Sequence, residues 1–300
     1  MKPPKVSIIV PCFNAAATLE RTLVSLRDQA YPDLEVIVMD GASTDGTQAI
    51  IEAHSDVVSA YVSETDAGQA DALNKGFDRA SGELFGWLCA DDVLLPGALS
   101  MLAGALVEAP EYGLVTAGCR RKFDFGDVET HPRPDFQDAL RRLNTIEQPS
   151  TLWRAEAHRQ AGRLRTDLKY AFDWEWWLRL SRTGCRFTVI DAVVSEYLFS
   201  GENLTSTGGD ALARDMYEVL KAHGTHGGRV ADLYWFLYSV FDKRGFYDTP
   251  NAADKPGYQR AGFHLLLRGL QVIFGRETVD SYNWNFASRQ ARGLDWAEAA

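Results

Sequence analysis

Val6-Ser7-Ile8-Ile9-Val10, closed by Pro11 and followed by Cys12-Phe13-Asn14, is the stretch on which the fold reading turns. It is short, rich in β-branched residues and bounded by a proline. That pattern suits a strand buried on both faces, as in a parallel sheet. Immediately downstream, Leu19, Leu23 and Leu26 recur at helical spacing, with Thr18 placed to cap the helix. Glu35-Val36-Ile37-Val38-Met39 repeats the strand pattern and stops at Asp40-Gly41. A helix over 48–53, a strand over 60–62 and a helix over 69–80 follow in the prediction. Leu84-Phe85-Gly86-Trp87-Leu88-Cys89 is a further strand, stopping at Asp91-Asp92, and Pro96 opens a helix carrying Leu99, Leu102 and Leu106. This alternation predicts an α/β chain built from βαβ units with right-handed crossovers.

Beyond residue 130 the rhythm changes. His131-Pro132-Arg133-Pro134 reads as a loop, helices are expected near 137–143 and 173–182, and 187–190 is a candidate strand. From Asp210 onward the pattern is helical and aromatic-rich, an appended helical region. The 300 residues carry 46% apolar and 24% charged side chains, the balance of a soluble globular protein with a sizeable core. The net charge of −10 argues against a nucleic-acid binder. Charge is unevenly placed: residues 1–119 hold 6 basic and 17 acidic side chains, so the N-terminal third suits a metal or a polyol better than a bare phosphate. Cys12, Cys89, Cys119 and Cys185 are far apart, without C-x-x-C spacing, and read as small buried residues in a reducing compartment. Val6–Val10 is too short for a signal-peptide core, and no stretch approaches the ~18 apolar residues of a membrane span, so a cytoplasmic location is expected.

Three polar clusters, at Asn14, Asp40 and Asp91-Asp92, follow predicted strands. In an open parallel sheet, ligands bind outside the carboxyl ends of the strands, so all three clusters fall on one rim. Asp and Asn also form turns at strand ends, which explains any one of them but not their convergence. A G-x-G-x-x-G loop is absent after the first strand. The segment Gly41–Thr47 has the glycine spacing of a phosphate loop but lacks the lysine after Gly46, which argues against a dinucleotide or ATP site. Adjacent carboxylates at Asp91-Asp92 suit a hard divalent cation, Mn²⁺ or Mg²⁺.

Taken in order, these residues resemble the family 2 inverting glycosyltransferases. The resemblance rests on Val6–Asn14, on Asp40-Gly41-Ala42-Ser43-Thr44-Asp45-Gly46-Thr47, on Asp66–Gly76, on Ala90-Asp91-Asp92 with Pro96, on Gln148–Arg154 and on Tyr170–Leu180. It covers residues 5–206. It implies a GT-A fold, a nucleotide-sugar-binding domain with a mostly parallel central sheet flanked by helices, over 1–206, and a helical C-terminal extension over 207–300. The implied reaction moves a sugar from a nucleotide-sugar donor, UDP-linked, to a glycan or lipid-linked acceptor. By the same resemblance Pro11 and Asn14 approach the nucleoside, Asp40 meets the base, Asp71 and Lys75 lie near the donor, and Asp91 sits by the ribose or metal. Asp92 would bind Mn²⁺ or Mg²⁺, and Asp173 would be the general base. Inverting transfer is one in-line displacement, which needs a base for the acceptor hydroxyl and neutralisation of the departing diphosphate. Glu175, two residues from Asp173, falls on another helix face.

The sequence also departs from the family pattern. Ala90, preceded by Cys89, fills a position often acidic, and Leu198 and Ser200 stand where an Arg and a His are common. Glu202 or Asn203 are the nearby substitutes. The opposite reading is a non-catalytic nucleotide-sugar-binding or scaffold protein of the same fold. Trp174, Trp176 and Trp177 have two roles open to them, sugar stacking and core packing. Phe263, Leu266, Leu267, Leu270, Ile273 and Phe274 form one helical face, available for packing, dimerisation or peripheral membrane contact through 263–274.

Overall fold

Val6–Cys12 forms the first strand (β1), and all seven residues are buried, as its unbroken apolar run requires. In this computed structural model the described residues are 2–123, 126–132, 136–199, 208–224, 226–237, 239 and 257–275. After β1 come α1 (Leu19–Arg27), β2 (Leu34–Asp40), α2 (Thr47–Ala53), β3 (Ala60–Ser63), α3 (Gln69–Phe77) and β4 (Leu84–Trp87). Strands β3, β2, β1 and β4 lie side by side and parallel. Thr18 does occupy the cap position of α1, but its hydroxyl makes no capping bond. Gly86 of β4 is required by close packing: a Cβ there would come within 2.7 Å of the Leu152 side chain.

The sheet then turns mixed. Next come β5 (Val93–Leu94), α4 (Ala98–Glu108), β6 (Leu114–Phe123), β7 (Gly126–Thr130), α5 (Phe136–Ala139), β8 (Thr151–Arg154), α6 (Ala155–Ala161), α7 (Phe172–Arg182) and β9 (Phe187–Leu198). The sheet order is β3-β2-β1-β4-β8-β6-β9-β5, with β7 on β6. β8 runs antiparallel to both β4 and β6, while β9 runs parallel to β6. The expected parallel arrangement therefore holds for the N-terminal half of the sheet, and β8 is the reversal point. Strand β9 is much longer than the predicted 187–190. The helix expected near 137–143 is confined to the single turn α5.

One layer of core lies under α1, α2 and α4, with Leu23, Leu26, Val36, Leu99 and Leu102 all buried. On the other side is an aromatic layer. Trp87 stacks on Trp177 with centroids 5.4 Å apart, Trp153 meets Trp87 edge-on at 5.4 Å, and Trp176 lies 5.1 Å from Trp153. Trp174, Trp176 and Trp177 are all buried, which assigns them to packing rather than to stacking on a sugar. Each such ring contributes roughly 1.5–3 kcal/mol by leaving water. Together they fix the position of α7.

The chain divides into two compact units, Met1–Gln137 with Thr145–Phe199, and Asp138–Asn144 with Ser200–Ala300. The described part of the second unit contains α8 (Gly209–His223), α9 (Arg229–Leu237) and α10 (Gly257–Phe274). α8 and α9 are tied by Lys221 and Tyr217, both bonded to Asp232. The end of α10 is held where the His226 ring reaches the Phe274 carbonyl at 2.9 Å. On α10, Leu265, Val272 and Ile273 are exposed, whereas Leu270 and Phe274 are half-buried. No helix among the described residues is long and apolar enough to cross a membrane. The expected boundary at 206/207 lies outside the described residues, as do Ser200, Glu202, Asn203 and the side chains of Phe263 and Leu267.

Candidate functional site

The parallel register aligns the strand ends, since Cys12 pairs with Asp40 and Asp40 with Ser63. The loops after β1, β2, β3 and β4 consequently emerge along one sheet edge. Pro11 is buried within β1, beyond the Ile9–Trp87 end of the β4 pairing. Asn14 is exposed and has a φ of 49°, a left-handed conformation that asparagine tolerates. Its amide donates to Ser43 Oγ at 2.7 Å, and its Oδ1 accepts from the Thr44 amide at 3.0 Å. The Ala15 amide donates to Thr47 Oγ1 and the Ala16 amide to Asp45 Oδ2. These bonds stitch the first two loops together.

Asp40 is buried, and its carboxylate is turned into this loop network. It accepts from the Ser43 hydroxyl and amide, and from Ser63 Oγ at 2.5 Å, with Gln48 Nε2 at 3.5 Å. Gly41 beside it must be glycine, because a Cβ would stand 2.9 Å from Asp66 Oδ2 and 3.2 Å from the Phe13 ring. Phe13 is 66% exposed at this rim, an apolar face that the sequence reading passed over.

Asp71 and Lys75 are paired on α3 at 3.2 Å, and Lys75 also bridges to Glu64 at 3.0 Å. Burial raises the Asp71 pKa, but the Ala67 amide and Lys75 outweigh it and hold the carboxyl below its usual range. At the head of the same helix, Gln69 Nε2 donates to Cys89 Sγ at 3.1 Å. This bond connects the third loop to the fourth.

The fourth loop is a tight turn, closed by the Asp92 amide donating to the Cys89 carbonyl at 3.0 Å. The turn gathers Cys89, Asp91 and Asp92, and one ligand atom from each lies within 4.8 Å of the others. Asp92 is fully buried, and neither carboxylate oxygen has a hydrogen-bond partner among the described residues. The Leu198 amide and Cys89 thiol lie near enough to Asp92 to offset part of that burial. Burial, then the neighbouring Asp91 charge, pushes the Asp92 carboxyl well above the usual range. Burial also raises Asp91. An orphaned, buried carboxylate beside a second one is a donor set that a divalent cation completes, so the residues fit Mn²⁺ or Mg²⁺.

Asp173 lies in the first turn of α7 and is the only residue of Phe172–Leu178 that is not buried. Its Oδ1 accepts from the Trp174 amide at 2.6 Å. Its charge is felt at Cys89, after those of Asp92 and Asp91, which puts it within electrostatic range of the acidic turn. Glu175 is buried and bound to Arg179 at 2.9 Å, and Arg179 in turn donates to the carbonyls of Ala161 and Arg163. The two acids of this helix thus do different work, one partly open and one locked in the structure. Gln148 completes the surroundings. Its Nε2 donates to the Trp87 carbonyl, and its Oε1 faces Cys89 Sγ at 3.5 Å. Cys89, Gln69 and Gln148 were missed as site residues. Gln69 and Gln148 stand inside quoted motifs and Cys89 beside one, but residue type alone assigned them no role.

The family described as "Glycosyl transferase family 2" matches residues 7–169. A GalNAc(5)-diNAcBac-PP-undecaprenol beta-1,3-glucosyltransferase of Campylobacter jejuni is 39% identical over 103 residues, 33% of this chain and 33% of that enzyme, so the match spans about a third of that relative. Among solved structures, a mannosyltransferase from Pyrobaculum calidifontis in complex with GDP-Man and Mn²⁺ superposes with a TM-score of 0.64 at 23% identity. The match covers 99% of this chain and 86% of that one. TarS 1–349 of S. aureus in complex with UDP-GlcNAc gives 0.62 at 18% identity, covering 96% and 88%. These two likenesses establish the GT-A type of fold.

Proposed function

The chain belongs to glycosyl transferase family 2, and from that premise we propose that it is an inverting, metal-assisted glycosyltransferase acting from a nucleotide-sugar donor. The carrying observation is the buried, unpartnered Asp92 carboxylate at the rim where the parallel strands end. Asp91 and Asp92 would hold Mn²⁺ or Mg²⁺, which would neutralise charge on the departing nucleoside diphosphate. Asn14 and the loop braced by Asp40 shape the nucleoside end of the site, and Asp71 with Lys75 lies toward the donor. Asp173 accepts the acceptor hydroxyl proton as that oxygen bonds to the anomeric carbon and the bond to the diphosphate breaks. A single displacement inverts the centre, and no covalent enzyme intermediate forms.

The donor is read as UDP-linked and the acceptor as a glycan or a lipid-linked glycan, in keeping with the undecaprenol-linked substrate in the name of the Campylobacter relative. Residues 1–206 form the catalytic region and 207–300 the extension. Exposed Leu265, Val272 and Ile273 on α10 support peripheral contact with the cytoplasmic face of a membrane. Melting temperature measured with UDP, GDP and dTDP, each with and without Mn²⁺, identifies the donor nucleotide by the one that stabilises. Asp173→Asn is expected to abolish transfer while keeping that stabilisation. Near-normal transfer by this variant overturns the base assignment.

A further inference from the structure

The turn Cys89–Asp92 brings a sulfur to a place where two carboxylates already converge. Its i→i+3 bond, Asp92 amide to Cys89 carbonyl, sets the side chains of the first, third and fourth turn residues close together. Sγ of Cys89 and one oxygen each of Asp91 and Asp92 are mutually within 4.8 Å, so a small inward turn of the side chains lets one ion reach all three with metal–sulfur and metal–oxygen bonds of about 2.3 and 2.1 Å. The second, independent observation is Asp92 itself, fully buried with both oxygens unpartnered. The sulfur is held in position. Gln69 Nε2 donates to it at 3.1 Å, a bond that suits a thiolate as well as a thiol. On its other side Sγ donates to Gln148 Oε1 at 3.5 Å, a bond of the thiol that is given up when an ion replaces the proton, and Gln148 is itself anchored on the Trp87 carbonyl.

We propose that Cys89 is a third ligand of the cation held by Asp91 and Asp92, and that its sulfur shifts the site's preference away from Mg²⁺ toward Mn²⁺ and softer ions such as Co²⁺ and Cd²⁺. The inference rests on the metal-assisted reading given above. As the sulfur–metal bond forms, the thiol proton leaves to solvent, so the site binds the ion as one thiolate and two carboxylates. Thiolate disfavours Mg²⁺, which takes oxygen ligands, and favours thiophilic ions.

The test is spectroscopic. Metal-free full-length protein is titrated with Co²⁺ and with Cd²⁺, each with UDP and separately with GDP, and the near-ultraviolet thiolate-to-metal band is recorded. Affinities for Mg²⁺ and Cd²⁺ are measured alongside by calorimetry. The wild type is expected to show the band. Cys89→Ser and Cys89→Asn are expected to lose it while still binding Mg²⁺. The Cd²⁺-over-Mg²⁺ preference should fall at least about tenfold, since even residues behind the ligands are worth that much. Co²⁺ or Cd²⁺ bound to wild type without a band overturns the proposal, as does a band that survives in both variants, where Cys12, Cys119 and Cys185 remain. Binding of UDP or GDP with no metal bound under any condition overturns the metal-assisted reading and this inference with it. Binding of Mg²⁺ without sulfur character overturns only the inference.

Discussion

Asp92→Asn should make the metal-free protein more stable and its nucleotide complex less so. In the folded chain the Asp92 carboxylate lies out of water, without a full hydrogen bond among the described residues and beside the charge of Asp91. An unsatisfied buried polar group costs about 1–3 kcal/mol, and a charged one costs more. Asparagine keeps the shape, removes the charge and can donate to Asp91, so a gain of about 2 kcal/mol is expected. At about 2–4 °C per kcal/mol for a chain of this size, the variant should melt about 4–8 °C higher in chelator. Nucleotide and Mn²⁺ at a thousand times the dissociation constant should stabilise the wild type by about 4.1 kcal/mol and the variant by almost nothing, which reverses the order. Thermal denaturation of both proteins, in chelator and with UDP or GDP plus Mn²⁺, reads the crossover directly. A variant that melts lower than wild type in chelator would mean that Asp92 is satisfied in the fold. A variant with the full nucleotide–Mn²⁺ shift would mean that Asp92 is not a ligand.

His158 is packed among Phe77, Trp153 and Trp176, with Nδ1 lacking a partner, and burial lowers its pKa to about 4. The unfolded chain takes this proton near pH 6.5, so the stability present above 6.5 is lost as pH falls toward 4, by about 3 kcal/mol. Urea unfolding at pH 7.5 and 4.5 should show this slope, and His158→Phe should flatten it; an unchanged slope would refute the assignment. Asn74 on α3 clasps Leu164 through both backbone groups, Nδ2 to the carbonyl at 2.9 Å and the amide to Oδ1 at 2.8 Å. Asn74→Ala strands two buried groups and should cost about 2–4 kcal/mol, read from the denaturation midpoint, with faster proteolysis near Leu164. An unchanged midpoint and unchanged cleavage would show that the clasp is dispensable.

The parallel half of the fold was legible because its strands are apolar runs closed by Pro11, Asp40 and Asp91. The reversed half was not. β6 carries Arg120-Arg121-Lys122 just before its last residue, Phe123, a charged run without the apolar pattern of a strand. Tertiary pairs make those residues tolerable in a strand: Arg121–Glu147 at 2.8 Å, Arg120 with Glu129 and Glu196 at 3.0 Å each, and Lys122–Asp127 at 3.5 Å. β8 has four residues, too few for its periodicity to register. At the site, residue type announced the carboxylates. Which of them would be satisfied depended on partners distant in sequence, such as Ser63 for Asp40.

That difference in satisfaction separates carboxylates that look alike in the sequence. Asp40 and Asp92 both follow a parallel strand, and both are buried. Asp40 is saturated by Ser43, Ser63 and Gln48, so its charge is spent on holding the loop that carries Gly41 and faces Phe13. Asp173 and Glu175 differ in burial instead: Glu175 is buried against Arg179, whereas Asp173, which accepts from the Trp174 amide, is half-buried. A fold that supplies donors generously to Asp40 and Glu175 and leaves both Asp92 oxygens without a full hydrogen bond among the described residues carries a cost there. A cation at the Cys89–Asp92 turn would remove it, and that deficit, more than the presence of acids as such, is what supports the proposal that this turn is the reactive end of the rim.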